Sequence, residues 1–515
     1  MGMNGRFGRT GQTPHDDGPP AQLTTKPTRS QSLRSKTAGN LGYSMLSRVL
    51  IFALSSATWI ILARRLDSSD YGIAGFAMIF SGLLGQFSDL GITSSVIQKE
   101  TVEEKELYTA FTLKVLLSLL IFALSFFLGN ISRMAHDNAA VKAVVIVLAA
   151  GFLPDSLGFL PTVALKRSLR FKRLTVPQVG SQTVATAVAI VAVYAGFRYW
   201  SIIFSSLAAS VASAVIAYAM CPLRFRFGWD ADSAGRHLKF GSHLFFAGLM
   251  GFVLFNADNF VVGAAGGTAA LGFYTIAFRC ATMASGFISQ SIHTVLLPTF
   301  SRMQQEIEKL KRGYLTTLEY VSFGAVLANG LLLVLSRDIL VLVLGAGTGR
   351  WLPALFTLEI LSVYGVVRAI LEPVGSMVVA IGRPALMFRS SAIVAALQAV
   401  CLYPAMKFLG TAGVAVVVTL SYSAQFLIYF PALHREIDLR YSMVLRSVRP
   451  AILAGCALGA SGFALDRLMV VSWLSLFVKL LAGCSLYLIV YCSIAGWKIF
   501  KDGFQLLDAV LIKMG

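Results

Sequence analysis

Apolar runs long enough to cross a bilayer recur along the whole 515-residue chain, and no other feature limits its fold as tightly. A helix needs about 20 mostly apolar residues to span the hydrocarbon core. Reading the runs between polar breaks predicts spans near 41–63, 71–95, 107–129, 139–164, 174–196, 199–221 and 241–263. A second series lies near 273–297, 314–336, 351–376, 385–407, 410–432, 448–465 and 472–496. The composition agrees, with 56% hydrophobic and only 13% charged residues and a mean hydropathy of +0.72. A soluble protein carries roughly 25% charged residues. Backbone polar groups in lipid must be satisfied within the segment, so the spans are helices. The expectation is an all-α polytopic membrane protein of about 14 transmembrane helices.

The net charge of +19 is not gathered into one tail or domain, which argues against nucleic acid as the partner. Of the 44 Lys and Arg residues, 30 fall in the N-terminal segment, in the loops after even-numbered spans and at the C-terminus. Nine go with loops after odd-numbered spans, residues within four positions of a span end being counted with the adjoining loop, and five (Arg48, Lys114, Arg279, Arg368 and Lys479) lie deeper inside spans. Positive residues stay on the cytoplasmic side, so both termini are expected there. "LKRSLRFKR", Leu165 to Arg173, is the strongest such signal. Residues 1–40, rich in Gly, Pro, Ser and Thr, read as a disordered basic cytoplasmic tail.

Loops on the opposite side are at most about 15 residues by this reading, with no room for the ordered domain a membrane polymerase needs to hold acceptor sugars. No P-loop, HExxH or GxSxG is present, so no enzymatic chemistry, cofactor or metal is expected. The six cysteines lie in or beside apolar runs without metal spacing and read as small core residues.

Sliding the chain against itself gives a match at an offset of 200, with "DYGIAGFAM" (Asp70 to Met78) over "ALGFYTIAF" (Ala270 to Phe278). Gly72 then aligns with Gly272 and Ala77 with Ala277. Six spans per repeat is an even number, so the halves share one orientation about an axis along the membrane normal, a recurrent transporter plan. The expected organisation is a tail (1–40), an N-lobe (41–221), a cytoplasmic linker (222–240), a C-lobe (241–432), and two further helices with a C-terminal tail (433–515).

Ionisable residues inside spans are costly and usually face a bundle interior or a watery cavity. Asp258 and Arg279 lie at similar depth on adjacent antiparallel spans and are expected to pair. Arg48, Asp89 and Lys114 each lie ~10 Å from the inner end of their spans at 1.5 Å per residue. Asp89 neutralises only one of those two bases, which favours cavity lining. Asp155 follows Pro154, and Arg368 and Glu372 stand one turn apart. The Asp258–Arg279 and Arg368–Glu372 pairs admit two readings, braces between helices or a cavity lining. Lys479 is expected to snorkel or face a groove. In span 4, "GFLPDSLGFLP" places two prolines where each bends the helix, as a static kink or as a flexible element of alternating access.

Several stretches resemble the polysaccharide transporter family, the Wzx-type oligosaccharide flippases of the multidrug/oligosaccharidyl-lipid/polysaccharide exporter superfamily. They are "ARRLDSSDYGIAGFAMIFSGLLGQFSDLGITSSVIQKE", "LPTVALKRSLRFKR", "NADNFVVGAAGGTAALGFYTIAFR" and "SQSIHTVLLPTFSRMQ". Glu372 departs from the pattern, since a small residue is expected before that proline. The resemblance implies two pseudo-symmetric six-helix lobes around a V-shaped cavity, with the last two helices forming a groove for a lipid tail. It also implies export of undecaprenyl-diphosphate-linked oligosaccharide across the inner membrane for exopolysaccharide or O-antigen synthesis. Arg48, Lys114, Arg279 and Arg368 are then the candidate diphosphate contacts, with Asp89, Asp155, Asp258 and Glu372 as charge partners or coupling groups. Membrane lipids, a polysaccharide polymerase and a chain-length regulator are the expected partners. A drug/cation antiporter on the same fold is the alternative, and it calls for a cavity dominated by acidic residues.

Overall fold

A computed structural model describes residues 33–128, 138–168, 171–304 and 306–496. Most of the expected N-terminal tail and the end of the C-terminal one lie outside the described residues. Among the described residues every regular element is helical, and twelve helices are long and apolar enough to cross a membrane. The chain is a multi-pass membrane protein.

The first half comprises α1 (Leu33–Arg65), α2 (Ser68–Asp89), α3 (Ile92–Gln98), α4 (Glu104–Leu128), α5 (Asn138–Ala150), α6 (Phe152–Leu157), α7 (Phe159–Arg167), α8 (Phe171–Tyr194) and α9 (Trp200–Met220). α1 begins inside the stretch expected to be tail. The second half comprises α10 (Ala231–Met303), α11 (Ile307–Val334), α12 (Ser336–Asp338), α13 (Leu355–Ala380), α14 (Pro384–Ile437), α15 (Tyr441–Leu468) and α16 (Trp473–Ala495). Helices within each half pack mainly on one another, and the halves meet chiefly along α2 and α10.

α10 and α14 are each folded back at one glycine. The apolar stretch of α10 runs 54 residues, about 80 Å at 1.5 Å per residue, against a hydrocarbon core of ~30 Å. Gly267 (φ 80°, ψ −179°) and Gly410 (φ 64°, ψ −151°) occupy a region of backbone space open essentially to glycine alone. The reversal is visible in side-chain contact: the Tyr274 hydroxyl donates to Asp258 at 2.7 Å although 16 residues separate them. On a straight helix they would be about 24 Å apart. The four arms (231–266, 268–303, 384–409 and 411–437) each overlie one apolar run read from the sequence. We call the side carrying Gly267 and Gly410 the turn face, and the side from which α1 starts the tail face.

The span with two prolines is divided into α5, α6 and α7, with breaks at Gly151 and Gly158. Pro154 and Pro161 each follow a break by three residues. A proline ring clashes with the carbonyl four residues back, which places the interruption there.

At the turn face α2 crosses the second arm of α10 with backbone against backbone. A Cβ on Gly72 would lie 1.7 Å from the Thr268 carbonyl oxygen, and one on Gly272 would lie 1.8 Å from that of Ser68. Residues 68 and 268, and 72 and 272, are the partners of the offset-200 repeat, so the crossing is two-fold symmetric in position and has a glycine at both points of closest approach. Just before it, Asp67 and Asp70 form a reciprocal cap at the start of α2. The Asp-x-Gly segment thus starts the helix and then provides its crossing point. Nearby, the Trp351 indole donates to the Ala63 carbonyl at 3.0 Å and Arg64 Nε to that of Val343 at 2.7 Å. Toward the tail face α2 continues along the first arm of α10, with Phe76 stacked on Phe260 and Phe87 edge-on to Phe245.

The expected linker 222–240 contains the first turns of α10. These pack on the first half, with Ala234 in one apolar cluster with Ile92, Val96, Phe111 and Phe159.

Candidate functional site

The second half holds a cluster of polar and aromatic side chains near mid-membrane. Asp258, 3% exposed, lies nine residues before the Gly267 fold. It accepts hydrogen bonds from the Tyr274 hydroxyl at 2.7 Å and from the backbone and side-chain amides of Asn259 at 2.7 and 3.1 Å. Tyr274 leads through ring contacts to Phe278 and Tyr364, and Tyr364 meets Tyr422 edge-on at 5.0 Å. Arg368 lies over the Phe255 ring at 5.1 Å, with Tyr364, Tyr422 and Glu372 as its other neighbours.

The expected Asp258–Arg279 ion pair is not formed. A hairpin folded at residue 267 sets position 258 level with about 276, so Tyr274 takes the site opposite the carboxylate. Arg279 lies five residues on, about 140° further round its helix at 3.6 residues per turn. It turns to the first half, where its guanidinium lies 5.8 Å from the Trp59 ring centroid. Arg368 and Glu372 do not close an ion pair either, although Glu372 is an electrostatic neighbour. Among the described residues neither arginine has a carboxylate within 4.0 Å, and both sit on aromatic rings.

In the first half one of the candidate pairs closes. Lys114 on α4 donates to Asp89 on α2 at 2.7 Å, and Asp89 also accepts from the Thr93 hydroxyl. Asp155, between the two breaks of its span, neighbours Ser210 of α9 and Lys114. Arg48 stands exposed on α1 and joins no ion pair among the described residues. The structure therefore brings Asp89, Lys114 and Asp155 into one neighbourhood and Asp258, Arg368 and Glu372 into another. Arg279 lies where the halves meet, and Arg48 joins neither group.

Single-helix depth reasoning missed the tyrosines. Tyr274, Tyr364 and Tyr422 count as apolar in a hydropathy scan, yet a phenol buried in a span carries a polar tip that needs a partner. Lys479 was also misplaced. It neither snorkels nor faces a groove: its side chain is 1% exposed and bonds Asp338 at 2.6 Å and Asp466, with Ser475 donating to Asp338 at 3.0 Å. Both carboxylates come from the ends of other helices, where a reading of one helix at a time cannot see them. This cluster pins α15 and α16 to α12, the short helix that follows α11. Lys479→Met leaves fully buried Asp338 without its partner, and breaking such a pair costs about 3–5 kcal/mol. The thermal midpoint of the purified protein is expected to fall clearly in Lys479→Met and to recover in large part in Lys479→Met/Asp338→Asn.

Two helical halves folded on one plan, crossing at equivalent glycines and holding ionisable groups at mid-membrane, define the class of two-lobed membrane transporters. The chain belongs to the polysaccharide biosynthesis protein family, whose model matches residues 61–355. It is 23% identical over 367 residues to the lipopolysaccharide biosynthesis protein WzxC of Escherichia coli (strain K12), covering 70% of this chain and 73% of that protein. It is 24% identical over 413 residues to the teichuronic acid biosynthesis protein TuaB of Bacillus subtilis (strain 168), covering 78% and 84%. Among solved structures it shares the fold of the lipid II flippase MurJ in an inward closed conformation. The TM-score is 0.70 at 15% identity, with 90% of this chain and 99% of that chain covered.

Proposed function

We propose that this protein is a flippase of the bacterial inner membrane that moves polyprenyl-diphosphate-linked oligosaccharide repeat units from the cytoplasmic to the outer leaflet. The observation that carries this reading is the pair Arg279 and Arg368. Both are cations inside spans, both rest on aromatic faces, and neither has a carboxylate within 4.0 Å among the described residues. Intramembrane charge is costly and marks a ligand path. A diphosphate is the anion such arginines suit, since the guanidinium matches phosphate oxygens in pairs. Lys114 and Arg48 extend the basic path toward the tail face, while sugars occupy hydrated space and the polyprenyl tail stays in lipid. The relatives' names, which concern polysaccharide biosynthesis, support the substrate class.

In this reading the tail face is cytoplasmic, following the Lys/Arg bias, and the arms of α10 and α14 bring the crossings to fourteen with both termini inside. The lobes extend over 41–221 and 241–432. A polymerase and a chain-length regulator take up the flipped unit, and no covalent step occurs in this protein.

A second reading has its own observation. Asp258 is a buried carboxylate held only by neutral donors, which suits an exchanging proton or cation and so a cation antiporter on the same fold. One experiment separates them. An anion leaving a negative interior gains about 2.3 kcal/mol per charge per 100 mV. Proteoliposomes are expected to flip a fluorescent polyprenyl-diphosphate oligosaccharide faster under an inside-negative potential, with no pH or Na⁺ gradient. Transport indifferent to potential but dependent on one gradient makes Asp258 the coupling group, and failure to move the lipid-linked sugar at all overturns the flippase reading.

A further inference from the structure

A cavity edged by ionisable side chains lies at the tail face, away from the mid-membrane charges. It measures about 270 Å³ and is lined by Ser95, Gln98, Lys99, Glu106, Arg236, His237 and Phe240. Three elements build it: the end of α3, the start of α4 and the first turns of α10. Glu106 is buried at its base and accepts from Lys99 at 2.5 Å and from Arg236 at 3.0 Å. It holds these two cations in place without using up their donors. Lys99 has three N–H groups and Arg236 five, and both side chains are roughly half exposed, at 44% and 56%. Asp230 lies 3.9 Å from Arg236, but its carboxylate is engaged by the backbone and hydroxyl of Ser233 as the cap of α10. Arg167 braces the loop beneath, donating to the carbonyls of Val96 and Lys99 at 2.6 Å and of Glu100 at 3.0 Å.

His237 makes this cavity more than a solvated salt-bridge network. The residue is 5% exposed, and its Nδ1–H donates at 2.7 Å to the Ser95 hydroxyl, which itself donates to the Ile92 carbonyl; its Nε2 is left as an acceptor, buried with no hydrogen-bond partner among the described residues. A buried ring nitrogen left unsatisfied loses free energy on the order of 1–3 kcal/mol. Two flexible cations and a buried imidazole nitrogen converging on a cavity of this size point to one chemistry. We propose that the cavity binds a phosphate-bearing ligand, with Lys99 and Arg236 donating to the phosphate oxygens and His237 Nε2 accepting from a hydroxyl of the phosphate or of its headgroup, and that it is a site separate from the transport path. The segment that leads into α10, "LRFRFGWD" (Leu223 to Asp230), ends at Asp230 beside Arg236, and its Phe225, Phe227 and Trp229 are 56%, 66% and 60% exposed. Alternating basic and aromatic residues are typical of the lipid–water boundary. The phosphate therefore comes either from an anionic lipid headgroup or from a soluble phosphate.

The test is thermal unfolding of the purified full chain in a neutral detergent. Samples receive inorganic phosphate, phosphatidylglycerol, phosphatidylcholine, or sodium chloride of matched ionic strength. Either phosphate or phosphatidylglycerol is expected to raise the midpoint above the chloride and phosphatidylcholine controls. The apparent affinity is expected to fall at least tenfold in His237→Phe, which keeps the ring volume and removes the nitrogen. The charge-balanced variant Arg236→Gln/Glu106→Gln, which leaves no buried carboxylate unpaired, is expected to show the same loss. A response to phosphatidylglycerol alone assigns a lipid headgroup, and a response to inorganic phosphate assigns a soluble ligand. No shift with either, or a shift of equal size in both variants, overturns the proposal, and the cavity then holds water only.

Discussion

Replacing Gly72 by alanine is expected to reduce transport at least tenfold without lowering the amount of protein in the membrane. The single added methyl group would lie 1.7 Å from the Thr268 carbonyl oxygen, a backbone atom that no rotamer change can move aside. α2 and the second arm of α10 must separate by more than an ångström to admit it. Overpacking of this kind costs about 1–3 kcal/mol, and each 1.4 kcal/mol is tenfold in an equilibrium. The cost falls only on states in which the turn face is closed, so the variant shifts toward an open turn face instead of unfolding. Gly272→Ala is expected to behave alike, because its methyl would meet the Ser68 carbonyl at 1.8 Å. Cross-linking of a Ser68→Cys/Thr268→Cys pair reads the closure directly and is expected to drop in both variants. Unchanged cross-linking and full transport in Gly72→Ala would show that the crossing stays together throughout the cycle.

Charge removal at Arg279 or Arg368 is expected to reduce export of the lipid-linked sugar by about 10- to 150-fold. That range corresponds to the 1.5–3 kcal/mol of a hydrogen bond to a charged group. The decisive comparison is with double variants. Arg279→Gln/Asp258→Asn is expected to stay as impaired as Arg279→Gln, because Asp258 is held by Tyr274 and Asn259 and owes nothing to Arg279. Lys114→Gln is different, since Asp89 and Lys114 are true partners at 2.7 Å. If that pair only braces α2 against α4, Lys114→Gln/Asp89→Asn restores export; if Lys114 meets the diphosphate, the double variant stays inactive. Restored export in Arg279→Gln/Asp258→Asn would sink the assignment of Arg279 as a substrate contact. Measurement of surface polysaccharide at matched protein levels covers all five variants.

The sequence by itself determined the material of the fold and its large-scale plan. Hydropathy integrates over some twenty residues, so it finds each span whatever packs against it. The repeat at offset 200 located the symmetric glycines before any contact was known, because a backbone crossing tolerates no side chain and so leaves its mark in residue identity. The two breaks near Pro154 and Pro161 were legible for a similar reason: a proline acts on its own helix. Pairing was not legible. Depth along a span says which residues share a level, but azimuth and the exact fold point of a hairpin decide which of them face each other. Arg279 shares a level with Asp258 and faces Trp59, while Tyr274, silent in a hydropathy scan, takes the carboxylate. Lys479 found one partner 141 residues away and another at the end of the preceding helix, and the cavity under Arg236 and His237 is assembled from three separated segments. Such sites depend on distances of a few ångströms between helices, and only packing of the whole chain sets those.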